Sequence, residues 1–228
     1  MARLFRYRAS LLIGLCLLLA ILPAAAGAAE PGRLMDAVLA EADGSTVTLS
    51  DLVLARALSL FGLSPSPAPI GAAELDRYLD SLLALQEAER LRIEVTPELR
   101  AAAWREAAAR VGGAEALAAW LREAGVEEAW ARRQVESDLA VRRFIAIRFR
   151  AFVFVSEAEV SQALGAEEHG AAARGGMRER LAQDATGRAL AAWLAERRAQ
   201  ARIRRAALPP GGYLPPFPMP PESGRTAP

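Results

Sequence analysis

Apolar residues enter this chain first as an unbroken run, Leu11 to Leu22, and afterwards only as periodic stripes. The run follows Arg3, Arg6 and Arg8 and ends at Pro23 and the small residues Ala24-Ala25-Ala26-Gly27-Ala28-Ala29. From Asp36 to Thr48, DAVLAEADGSTVT reads as two short strands around Asp43-Gly44, a pair suited to a tight hairpin turn. Thr48 and Asp51 then form a capping-box pattern that predicts a helix from about Leu49 to Leu60. The alternate prolines of Ser64 to Pro69 cannot continue it, because each removes a donor and fixes φ. Leu75, Tyr78, Leu79, Leu82, Leu85 and Ala88 recur at helical steps and predict a helix stopping near Arg92. Thr96-Pro97-Glu98 opens the next, which Gly112-Gly113 ends.

Leu117, Trp120 and Leu121 mark a shorter helix from Ala114 to Ala124, closed by Gly125. A long helix starts near Glu127, its stripe read as Trp130, Gln134, Leu139 and then Arg142 to Phe149. Phe152-Val153-Phe154-Val155 is an extended apolar run, and Ser156 to Glu159 is a fresh capping box for a short helix. The Ala- and Gly-rich patch from Gly165 to Gly176 reads as an interruption. A last helix is expected from about Met177 to Gln200, with Leu181, Leu190, Trp193 and Leu194 facing a core, followed by a closing strand at Ala201 to Ala206. Beyond Leu208 lie 8 of the 14 prolines, which predicts an extended, unpacked tail. The early hairpin needs a third strand to be stable, so Ile203 is expected beside the Val38 strand.

Composition narrows the classes. The 228 residues are 53% hydrophobic and 6% aromatic, with abundant alanine, a mixture that favours helices over a many-stranded sandwich. The expected fold is mostly α, a helical core with a small β-hairpin completed by a C-terminal helix and strand. The basic start, short apolar run and small-residue exit together read as a secretory signal peptide, residues 1–28, with cleavage after Ala28. The run is shorter than the roughly 20 residues that span a bilayer; an uncleaved inner-membrane anchor is the alternative. The expected domains are therefore 1–28 as leader, 29–206 as the helical domain and 207–228 as a disordered proline-rich tail. Cleavage shifts the formal charge from +1 to −2 and removes Cys16, the one cysteine, so neither a disulfide nor thiol chemistry is expected in an oxidising compartment. A near-neutral chain gives no electrostatic case for nucleic-acid binding.

The order of hairpin, capped helix, LLALQEAERLRIEVTPEL (Leu82 to Leu99), two helices and REAGVEEAWARRQVESDLAVRRFI (Arg122 to Ile145) resembles the N-terminal chaperone domain of SurA-type periplasmic proteins. The resemblance extends from about Asp36 to Val160; QEAERLRIEVTPEL carries most of it, and RRQVESDL followed by FVFVSEAEV is the second match. Arg92 stands where that family commonly has glycine. The resemblance implies that Met177 to Ala206 is the returning C-terminal segment. In that family one or two parvulin-type prolyl isomerase domains precede this segment; here about 16 residues lie between Val160 and Met177, whereas an independent domain needs roughly 50 or more, so those domains are expected to be missing.

Candidate chemistry is sparse, and no catalytic, cofactor or metal residue is assigned. His169, the one histidine, sits in Glu167-Glu168-His169-Gly170, a poor ligand set that reads better as a solvated loop. Gly112-Gly113 and Gly175-Gly176 are read as lying between helices, without the lysine of a phosphate loop, so no nucleotide is expected. Arg197, Arg198, Arg202, Arg204 and Arg205 form the densest basic cluster; its functional reading is binding of phosphate or weak contact with an anionic membrane surface, and a solvated face is the reading adopted, since Glu196 and alanines interleave. Trp104, Trp120, Trp130 and Trp193 fit either a peptide groove or core stripes, and core is the reading adopted.

The peptide-binding residues of a chaperone are not legible, because a groove differs from a core only in being open. The expected function is an exported, periplasmic, ATP-independent, non-enzymatic chaperone for unfolded or outer-membrane polypeptides, with no cofactor. The alternative is a structural adaptor of an envelope assembly that binds one folded partner.

Overall fold

The computed structural model describes residues 36–165 and 170–220. The leader reading, His169 and the last eight residues lie outside them. Strands β1 (Val38–Ala42) and β2 (Ser45–Thr48) form an antiparallel hairpin with Ala42 opposite Ser45 and Ala40 opposite Val47. Asp43 and Gly44 both take left-handed backbone, at φ 49° and 87°, the turn whose twist matches that of the strands it joins. Strand β3 (Ile203–Arg205) pairs antiparallel with the other edge of β1, Ile203 opposite Ala42, so the sheet order is β2-β1-β3. The return of a C-terminal strand to the hairpin is thus as expected.

Helix α1 (Leu49–Ala57) begins at the anticipated capping box: the Thr48 hydroxyl accepts from Asp51 N–H, and the Asp51 carboxylate accepts from Thr48 N–H at 3.1 Å. It is buried nearly all round and forms the centre of the core. It stops earlier than periodicity predicts, because Ser59 and Phe61 adopt left-handed backbone at φ 54° and 55° and Leu60 N–H turns back to Ala55 C=O. Helix α2 (Ala72–Arg90) buries Leu75, Tyr78, Leu79, Leu83, Ala84 and Ala88. It closes with Ile93 N–H on Ala88 C=O and Arg92 at φ 53°, a left-handed terminus of the kind glycine ordinarily supplies.

Helices α3 (Pro97–Arg110) and α4 (Ala114–Ala124) start and stop as their caps dictate: Thr96 caps one, and Gly125 in left-handed backbone ends the other. Helix α5 (Glu128–Arg148) packs against α2 and α3, and a 3₁₀ turn (Arg150–Phe152) follows it. The buried face of α5 differs from the stripe read in sequence. It is Ala131, Val135, Asp138, Val141 and Phe144, with Trp130, Gln134 and Leu139 at its margin. The charged Arg132, Arg133 and Glu136 fix the opposite face, and an acid inside the stripe conceals its true centre.

Helix α6 (Glu157–Leu164) opens on the Ser156–Glu159 capping box and packs against α7 (Ala171–Gln200). Here a correction is needed: Gly175 and Gly176 do not separate helices but lie within α7, which starts six residues before the expected Met177. Each glycine costs about 1 kcal/mol relative to alanine. That is offset locally by alanine neighbours and by Arg174 and Arg178, which both pair with Glu157 of α6, while Arg150 pairs with Glu179 at 2.6 Å.

The tail is the second correction. Residues 207–220 are not unpacked: Tyr213 and Ile70 exchange both backbone hydrogen bonds, at 2.7 and 3.2 Å, and Phe217 is buried against Trp120 with ring centroids 6.1 Å apart. Proline removes donors but leaves carbonyls and rings free to pack, and Trp120 Nε1–H donates to Pro218 C=O at 2.9 Å. The described residues are mostly helical, with seven α-helices and one small three-stranded antiparallel sheet.

Candidate functional site

Between α2, α5 and α7 the surface opens into a cleft of about 370 Å³. Its walls follow from the helical spacing of the elements that meet there: Ala84 from α2, Val141 and Ile145 one turn apart on α5, and Leu190 and Leu194 one turn apart on α7. Phe61, from the strained turn after α1, completes the apolar lining. Arg77, Asp80, Arg110 and Arg142 supply polar groups around it.

Asp138 lies in the same cleft and is only 5% exposed. One oxygen accepts from Phe61 N–H at 2.7 Å and the other from Arg142 Nε at 2.9 Å, so a carboxylate on α5 pins the left-handed turn that carries Phe61. Burial pushes the Asp138 carboxyl above its ordinary value; the Phe61 N–H, Arg142 and Arg110 oppose the shift without cancelling it. Phe61 in turn stacks edge-on against Tyr78 at 5.3 Å, and the Tyr78 hydroxyl is bonded to Gln134. Gln134 and the Trp130 indole both donate to Asp51, at 3.1 and 3.3 Å, tying this wall to the capping box of α1. The Phe61 side of the cleft is therefore fixed by contacts from behind it.

A second apolar feature lies where the chain leaves the 3₁₀ turn. Phe152 and Phe154 are 80% and 86% exposed, beside a hollow lined by Arg150, Val153, Val155 and α7. The extended run read from Phe152 to Val155 starts one residue later, because Phe152 closes the 3₁₀ turn and Val153 is the first extended residue, and both phenylalanines face solvent.

The arginine cluster is largely occupied in holding the fold. Arg197 bonds to Asp43 at 2.8 Å and Arg198 to Asp80 and to Asp76 C=O, while Arg204 and Arg205 form ion pairs with Glu41 and Asp76. Asp43 is held below the ordinary carboxylate range by the Arg202 N–H first and by Arg197 second. None of the four tryptophans lines the cleft. Trp120 is core, and Trp104, Trp130 and Trp193 pack at the core's edge, the last against Phe144 and Phe149.

Gly112-Gly113 form a turn between α3 and α4. Among the described residues, no group of three or more His, Cys, Asp or Glu is placed to hold a metal ion, and no helix is long and apolar enough to cross a membrane.

Sequence reasoning missed Asp138, Phe61, Arg77, Arg110 and Arg142. The available signal was Asp138 itself, an acid in phase with Ala131, Val135, Val141 and Phe144. The chain matches no protein-family model and no curated protein.

Proposed function

We propose that the protein is an exported, ATP-independent chaperone that holds unfolded polypeptides, outer-membrane proteins among them, without catalysing a reaction on them. The observation that carries this reading is the open apolar cleft between α2, α5 and α7, large enough for one or two apolar side chains and edged by arginines. A holding chaperone needs only such a surface: binding the unfolded chain lowers the concentration of aggregating species by mass action and requires no nucleotide. The resemblance of Asp36 to Val160 to the SurA-type chaperone domain points the same way.

The test is light scattering by a denatured outer-membrane protein diluted with and without the purified chain. Near-equimolar chain should suppress the scattering, and Leu194→Glu, which places a charge on the cleft wall, should weaken the suppression without moving the melting temperature. Undiminished aggregation would count against the chaperone.

The second reading, an adaptor that binds one folded partner, is favoured by a different observation, the exposed Phe152 and Phe154. If it is correct, Phe154→Ser abolishes capture of a single envelope protein while leaving any holding activity unchanged.

A further inference from the structure

The tail occupies a site whose recognition chemistry does not depend on covalent attachment. Ile70 is fully buried, yet both its N–H and its C=O point at Tyr213 and are met by that residue's C=O and N–H. A segment held in this way forms a one-residue antiparallel bridge, as an added strand does. Gly212, immediately before it, approaches so closely that a Cβ would stand 2.2 Å from the Ile70 oxygen, and its φ of +80° is left-handed. No residue other than glycine fits there. Further along, Trp120 donates its indole N–H to Pro218 C=O at 2.9 Å, and the Phe217 ring, 9% exposed, packs edge-on against the same indole. An indole N–H reading a carbonyl in a proline-bracketed segment is also used in polyproline recognition, where the fixed φ of proline lowers the entropy lost on binding.

The receiving side is built independently of the tail. Arg56, fully buried on α1, donates to Ala68 C=O at 2.8 Å and pairs with Glu74, fixing the loop that presents Ile70. Trp120 belongs to α4. Neither Ile70 nor Trp120 lines the α2–α5–α7 cleft. Between the two anchor points Leu214 is 72% exposed, whereas Pro215 and Pro216 are half-buried.

We infer that the Ile70–Trp120 surface is a binding site for a proline-rich segment of another polypeptide bearing a glycine-aromatic step and a second aromatic four residues on, and that residues 212–218 are its resident, displaceable ligand. Tethering gives the tail an effective concentration on the order of millimolar, so the site opens only to a segment that binds better or arrives with further contacts. The proposal is independent of the chaperone reading.

The test uses the full chain and a fluorescently labelled peptide of sequence LPPGGYLPPFPMP, read by anisotropy. Gly212→Val should expel the tail, made visible as faster amide exchange at Ile70 and Tyr213, and should bind the peptide about tenfold more tightly than the unmodified chain. Adding Trp120→Phe, which keeps an aromatic ring but removes the N–H, should lower that affinity about fivefold, as should replacing the peptide's phenylalanine by alanine. Equal binding by the unmodified and Gly212→Val chains overturns the inference, as does a tail that stays protected in Gly212→Val. Dimers of the unmodified chain in sedimentation, at the concentrations used, would assign the site to a second copy and overturn it as well. Gly212→Val lies outside every helix and strand, so its circular dichroism should match that of the unmodified chain; if it does not, Trp120→Phe in the otherwise unmodified chain decides. That single change should speed exchange at Tyr213, and unaltered exchange there would again refute the site.

Discussion

Asp138 is a carboxylate on a helix face otherwise made of Ala131, Val135, Val141 and Phe144, and it is tolerated there because it accepts the Phe61 N–H in the left-handed turn after α1. Asp138→Ala leaves the Phe61 N–H without an acceptor at a strained, buried position and should cost about 1–3 kcal/mol in urea unfolding. Asp138→Asn, which keeps an acceptor, should cost less. The pH dependence has a definite sign. Burial raises the folded-state pKa of Asp138, so the native state keeps its proton to a higher pH than the unfolded chain does. The group's contribution therefore falls as pH rises from near 3.8 through the folded pKa, and is level above it. Asp43 has the opposite sign: its folded pKa is lowered, so its stabilisation is present above 3.8 and lost as pH falls through the folded value. Melting temperatures across the acid range should lose the first slope in Asp138→Asn and the second in Asp43→Asn, asparagine being tolerated in the left-handed turn. Arg92 offers a gain. Left-handed backbone costs a non-glycine residue about 1–2 kcal/mol and glycine loses about 0.4–1 kcal/mol of that through the unfolded state, so Arg92→Gly should stabilise by about 0.5–1 kcal/mol.

At the scale of elements, what was legible is what neighbours in sequence decide. The boxes at Thr48 and Ser156, the Asp43-Gly44 turn and the proline after Thr96 act over three or four residues, and each helix or hairpin starts where they place it. The first turns of α7 obey a different rule. Gly175 and Gly176 argue locally for a break, and the helix continues because α6 lies alongside and Glu157 accepts two arginines from it. This α6–α7 arm buries little, Val160 and Ala182 being its fully enclosed apolar residues. Its amides should therefore exchange with solvent faster than those of α2 and α5. Ser156→Ala should cost about 1 kcal/mol of cap energy and accelerate exchange in α6 while leaving α2 unaltered. Uniform acceleration across all helices would instead mean that the arm unfolds only with the whole.

The whole molecule depends on its C-terminal third. Helix α7 supplies Leu190 and Leu194 to the cleft and Trp193 to the core, Arg197 and Arg198 clasp it to Asp43 and Asp80, and β3 completes the sheet. A chain ending at Gly170 leaves a two-stranded hairpin and a half-open core, neither of which is independently stable. It should melt without a cooperative transition. A truncated chain that melts as sharply as the intact one would separate the cleft from the fold.

The sequence by itself determined the elements and one long-range consequence: a hairpin too small to stand alone, and a β-rich segment around Ile203 to complete it. Periodicity and capping are local properties, and a two-stranded sheet lacks a partner by arithmetic that needs no coordinates. Only the tertiary structure decided which apolar residues stay open. Leu117 and Leu190 belong to equally regular stripes, yet one is sealed in the core and the other lines a cleft, because openness depends on how far apart two helices are held. The tail shows the same division. Its prolines excluded helix and strand ladders, but proline says nothing about whether its carbonyls meet a donor, and here Ile70 and Trp120, distant in sequence, provide them.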